Sequence, residues 1–87
     1  MPVSNTSLVE RIARVIAGRV VSVNAGGGDP SAGERIDSIW RDYEEDARSI
    51  IRTLREPDAA MAQAGDLSVW QRMIDAALAE AGEGVAS

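Results

Sequence analysis

Glu34-Arg35-Ile36-Asp37-Ser38-Ile39-Trp40-Arg41-Asp42-Tyr43-Glu44-Glu45-Asp46-Ala47-Arg48-Ser49-Ile50-Ile51-Arg52-Thr53-Leu54-Arg55 decides the fold class. Ile36, Trp40, Tyr43, Ala47, Ile50 and Leu54 recur at alternating steps of four and three, the spacing of a heptad seam, and Ile39 and Ile51 widen it. On a helical wheel all eight fall within an arc of about 120° that holds no charge, so an amphipathic helix is expected from Glu34 to Arg55. Pro57 closes it, because the residue before a proline avoids the helical region.

Upstream, Ser7 and Glu10 have the S-x-x-E spacing of a capping box. Val9, Ile12, Ile16, Val20 and Val23 then recur every three or four residues, which predicts a first helix from Leu8 to about Ser22. Gly18 sits inside that pattern and Val-Val-Ser-Val has strand propensity, so a short strand from Arg19 to Val23 competes with its last turn. Residues 24–33, with three consecutive glycines, read as a flexible, disordered connector.

Downstream, Pro57 suits the first turn of a short helix to Ala64, ended by Gly65. A last helix begins at Leu67 or Ser68, capped by a Ser68–Gln71 box or by Asp66. Trp70, Met73, Ile74, Ala77, Leu78 and Ala81 form its apolar face, and Gly82 stops it. The expected fold is one all-α domain over 1–87: a small bundle of three longer helices and one short one, with 1–6 and 83–87 frayed.

Composition narrows the chemistry. The 87 residues contain no histidine, no cysteine and no lysine. The side chains that titrate near neutrality, attack as thiolates or form Schiff bases are therefore all missing. A carboxylate pair in a cleft would remain as a catalyst, but a short helical chain offers no wall for that cleft. No enzymatic activity, cofactor or small-molecule substrate is expected. Asp42 and Asp46, four apart, are too few oxygen ligands for a hard cation. Gly26-Gly27-Gly28-Asp29 lacks the lysine and strand that give a phosphate loop its mechanism.

Apolar payload is thin. Hydrophobic residues are 45% of the chain, but 14 of them are alanine, phenylalanine is absent, and the aromatics are Trp40, Tyr43 and Trp70. A core of this size rarely supplies more than about 3–5 kcal/mol unaided, so self-association or a protein partner is expected. The apolar arc of helix one exceeds what the other helices need, which makes Val9, Ile12, Ile16 and Val20 the candidate self-association face. Both tryptophans centre an apolar stripe and are assigned to the core.

The net charge of −5 speaks against a general nucleic-acid binder. Asp37, Asp42, Glu44, Glu45 and Asp46 cluster on one helix as a candidate acidic partner-binding face, which suits occupation of a basic groove meant for nucleic acid. That gives the alternative function, an acidic inhibitor of anti-CRISPR or anti-restriction type. A further alternative is a DNA-binding, packaging-type subunit using Arg11, Arg14 and Arg19 of helix one. The plainer reading of the second helix is a self-neutralised surface, with Arg41–Glu45, Glu44–Arg48 and Arg52–Glu56 at pairing distance. Leu8–Val23 is interrupted by Glu10, Arg11, Arg14 and Arg19, so neither a membrane span nor a signal peptide is expected, and a cytoplasmic location is the default.

The strings Glu10-Arg11-Ile12-Ala13-Arg14, Trp40 with Ala47, Leu54-Arg55-Glu56-Pro57, Met61, and Trp70 with Met73-Ile74-Asp75-Ala76-Ala77-Leu78 resemble a loose set of short, uncharacterised helical proteins encoded by bacterial phages and prophages. These strings are helix faces and boundaries. The resemblance implies a phage or prophage context and brings no functional residue with it.

Overall fold

The computed structural model describes residues 3–25 and 32–80, and every regular element among them is helical. Five α-helices run α1 Leu8–Ala25, α2 Ala32–Ile39, α3 Glu44–Leu54, α4 Ala59–Ala64 and α5 Leu67–Glu80, with a 3₁₀ turn Trp40–Tyr43 between α2 and α3.

α1 starts where Ser7 Oγ accepts the Glu10 N–H at 3.1 Å. The Glu10 carboxylate turns instead to Arg14 Nε, 2.8 Å away and one turn on. The helix runs through Gly18 to Ala25, so the strand alternative over Arg19–Val23 is corrected. Asn24 and Ala25 belong to α1 and Ala32 and Gly33 to α2, which trims the expected 24–33 connector at both ends. Residues 26–31, the expected stop at Ala81 and Gly82, and the expected frayed end 83–87 lie outside the described residues. Of the expected frayed start 1–6, Ser4 and Thr6 close a small turn through the Ser4 hydroxyl.

α1 is the central element: α2, the 3₁₀ turn, α3 and α5 all pack on it. Its buried side is Val9, Ala13, Ala17 and Val21, a row of four-residue steps. The row expected from the larger side chains, Ile12, Ile16 and Val20, lies half-buried along its edge. Alanine at positions 13 and 17 lets the neighbouring elements approach the α1 backbone closely, because interhelical distance is set by the side chains at the contact.

The second correction concerns Glu34–Arg55, expected as one helix and found as α2, the 3₁₀ turn and α3. Tyr43, the last residue of the turn, leaves α geometry (φ −108°, ψ 11°), while Ile39 ahead of the turn stays in the right-handed region at φ −117°, ψ −10°. A straight helix of that length spans about 33 Å. α2, the turn and α3 all lie against α1, and the Trp40 ring is buried in the core. The tighter winding also shifts the phase of the heptad seam. Ala47 and Ile51 become the buried positions of α3, while Ile50 and Leu54 are left exposed.

Asp58 caps α4 by accepting the Met61 N–H at 2.9 Å, so this helix starts at Ala59 rather than at Pro57. Asp66 caps α5: its Oδ1 accepts the N–H groups of Ser68 (2.9 Å) and Val69 (3.2 Å) and the Ser68 hydroxyl (2.8 Å). Asp66 is therefore the cap, not the Ser68–Gln71 box. A single core cluster joins Val9, Ala13 and Ala17 to Trp40, Ala47, Ile51 and Ile74.

Candidate functional site

Leu54 ends α3, α4 follows Pro57, and Gly65 in extended geometry (φ −161°, ψ −169°) separates it from α5. These elements enclose an apolar groove of about 380 Å³ lined by Pro57, Met61, Ala64, Leu67, Val69 and Met73, with Trp70, Gly65 and Asp66 completing it. None of its residues is buried, and Met73 is 61% exposed. A Cβ placed on Gly65 would meet nothing within 4 Å, so this side of the groove is open.

Polar contacts join the elements around the groove. Trp70 Nε1–H donates to the Leu54 carbonyl at 2.7 Å, pinning the start of α5 to the end of α3. Arg55 grips Asp75 with Nε and Nη2 at 2.8 and 3.2 Å, and that bond holds the Asp75 carboxyl below its usual pKa. Asp66, the one charged residue in the groove, also sits below the usual carboxylate range, first through the Ser68 hydroxyl and then through the backbone N–H groups of Val69 and Ser68. Its charge faces its own helix N-terminus, where a carboxylate is stabilised.

Sequence periodicity did not single out this groove. It placed Met73 on the buried face of α5, and the structure corrects that. Ile74 carries the burial, and Trp70, Ala77 and Leu78 are half-buried beside it. Met73 falls to one side of that stripe with exposed Val69 and Ala76. The available signal was the Val69-x-x-x-Met73-x-x-Ala76 spacing, a second apolar row on one helix, next to an uncharged helix too short to build a core.

The predicted self-association face divides. Val9 is 1% exposed and belongs to the core, so it has no surface to offer. Ile12, Ile16 and Val20 remain half-buried, and Val15, outside the expected set, is exposed.

The acidic cluster is spread over three elements: Asp37 on α2, Asp42 in the 3₁₀ turn, and Glu44, Glu45 and Asp46 opening α3. Asp37 accepts from Arg14 at 2.6 Å. Glu45 faces Arg52 at 3.4 Å and Arg48 at 3.9 Å. Asp37 and Glu45 are thus ion-paired while still exposed, and Asp42 and Asp46 are exposed as well. Of the arginines considered for phosphate contact, Arg14 is drawn inward: Glu10 and Asp37 bind it, and its Cζ lies 5.1 Å from the centroid of the Trp40 ring, which Arg41 also covers at 4.6 Å. Arg11 Nε donates to the Thr6 carbonyl at 3.3 Å, and Arg19 is exposed.

Among the described residues no three acidic side chains converge as a metal site would require. None of their helices is long and apolar enough to cross a membrane. No family model, no curated protein and no solved structure matches the chain.

Proposed function

We propose that the protein is a non-enzymatic helical interaction module that associates with itself. One observation carries the reading. From Arg52 to Val69 no side chain is buried, although the stretch includes Leu54, Met61, Leu67 and Val69 and is followed by exposed Met73. A monomer leaves single apolar side chains in water without consequence, but a contiguous patch marks an interaction site. The buried core is correspondingly small, with three alanines among its eight residues. Association that favours the folded chain adds stability by mass action. The compact bundle, cytoplasmic setting and phage or prophage context belong to the same proposal, the last supported by the resemblance of its helix faces.

Sedimentation of the full chain over a rising concentration series tests it. The sedimenting mass is expected to grow from one chain toward two through the micromolar range. A mass fixed at one chain throughout, with the helical spectrum intact, sinks the reading.

The acidic-inhibitor alternative has narrower support: the two exposed aspartates Asp42 and Asp46. The DNA-binding alternative loses Arg14 to Glu10 and Asp37.

A further inference from the structure

We infer that residues 56–65 form a strap that opens and recloses while the rest of the chain stays folded, and that the Met61–Ala62 bond within it is a proteolytic processing site of the folded protein. The protease class is one whose specificity pocket takes a large apolar side chain. The strap is a property of the single chain and stands apart from self-association.

Proteases cut the transiently opened form of a structured segment, so the rate at each bond follows the population in which that segment is open. What holds each segment shut therefore decides where the chain is cut. α4 is held by little outside itself. It is six residues long, has no buried residue, and no other described element packs closely on it. Its closure rests on its alanines and on Asp58, whose carboxylate accepts the Met61 N–H at 2.9 Å and whose carbonyl accepts the Ala62 N–H at 3.0 Å. Helices shorter than about 12–15 residues are marginal in water by themselves, so these local bonds let α4 open often.

Both ends of the strap stay in place when it opens. On one side the Leu54 carbonyl receives the Trp70 indole N–H at 2.7 Å, and Arg55 Nε and Nη2 hold Asp75 at 2.8 and 3.2 Å. On the other, Asp66 caps α5 through Ser68 and Val69, and Ile74, 3% exposed, fixes that helix in the core. None of these bonds uses residues 56–65. Leu54 and Trp70 are already neighbours, and a strap of this length extends to about 33 Å, so opening puts no pull on its anchors. α1 and α3, by contrast, supply Val9, Ala13, Ala17, Ala47 and Ile51 to the core and open only by disturbing it.

Specificity follows from the sequence. From Glu56 to Asp66 the one large unbranched apolar side chain is Met61, and it is 41% exposed. The residue that supplies the scissile carbonyl is the one a protease reads in its specificity pocket. Water adds to the Met61 carbonyl carbon as the C–N bond to Ala62 breaks, leaving the Met61 carboxylate and the protonated Ala62 amine.

Chymotrypsin is the probe, used on the full chain at a concentration where sedimentation gives one copy. Apart from Met1, which precedes a proline, every other Trp, Tyr, Leu and Met lies in α1, the 3₁₀ turn, α3 or α5. The first products are expected to be the pieces 1–61 and 62–87. Met61→Ser is expected to slow the first cut at least about tenfold while exchange at Ala62 stays fast. Ala60→Gly is expected to speed the cut by up to about fivefold, the propensity difference, with the urea midpoint of the whole chain nearly unchanged. In the wild type, amide exchange at Met61 and Ala62 is expected to run at least about tenfold faster than at Ile51 and to ignore low urea. A first cut outside the strap overturns the inference. So does exchange at Met61 and Ala62 that matches Ile51 in rate and urea dependence, or an Ala60→Gly chain that loses midpoint without being cut faster. Each of these results leaves the self-association reading to sedimentation.

Discussion

The indole N–H of Trp70 points at the main-chain carbonyl of Leu54, 2.7 Å away and sixteen residues back along the chain. That carbonyl is the last of α3 and has no helical N–H to receive. One side chain thus satisfies a helix end, fixes where α5 begins, and holds open the corner that becomes the groove. Trp70 is half-buried and joins the edge of the core, whereas Trp40 is buried within it and flanked by Arg14 and Arg41.

Replacing Trp70 with phenylalanine keeps the ring in contact and removes the donor. A loss of about 1 kcal/mol is expected, the net worth of one such hydrogen bond. Urea unfolding followed by circular dichroism measures it. An unchanged midpoint would mean that water replaces the indole at no cost.

Gly18 lies within α1 and needs no special backbone geometry: a Cβ there meets only Ile36 Cδ1, at an ordinary 3.5 Å. Gly18→Ala is expected to stabilise the chain by up to about 1 kcal/mol, because glycine is the poorer residue in a helix interior. The thermal midpoint should rise.

Ile51 is the largest fully buried side chain and stands among the core residues contributed by α1, α3 and α5. Ile51→Ala is expected to cost about 2–5 kcal/mol. That is comparable to the whole stability of a chain this small, so its helical spectrum should largely collapse at room temperature.

Acid should weaken the fold. The Arg55 guanidinium lowers the Asp75 carboxyl, and the Ser68 hydroxyl followed by the Val69 and Ser68 backbone lowers that of Asp66. A group whose pKa is lower folded than unfolded binds fewer protons when folded. Its contribution is therefore present above the unfolded value of 3.8 and is lost as pH falls through the folded value below it. Urea midpoints measured downward from about pH 6 should drop below about pH 4. The drop should be shallower in Asp75→Asn, which lacks one of the two carboxylates.

Asp58→Ala removes the cap of α4 at a cost of about 1 kcal/mol. With no burial to hold it, α4 should fray, and hydrogen exchange at Met61 and Ala62 should quicken while Ile51 in α3 stays protected.

The sequence was informative wherever a signal is local. The Ser7 cap, the stop before Pro57 and Gly65 as a terminator all depend on atoms within a turn or two, and α1, α4 and α5 lie close to their expected places. Two readings failed together because both assumed that larger side chains choose the buried side. On α1 they favour Ile12, Ile16 and Val20, yet Ala13 and Ala17 face the core. On Glu34–Arg55 they describe one continuous helix, yet a 3₁₀ turn at Trp40–Tyr43 divides it. What reverses them is the close approach of several elements to one helix, which rewards small residues on its buried side.

The groove followed the same division. Gly65 and Asp66 could be read as a terminator and a cap, but nothing in their order says that Asp58 would cap α4, that α4 would remain outside the core or that Met73 would face water. The chain's composition by itself withheld thiol, imidazole and amine chemistry, and its apolar spacing required a helical build, since those are properties of residues taken one at a time or a turn at a time. Which apolar side chains were left uncovered was decided only when α1 had been surrounded, because burial depends on what every other element has already claimed.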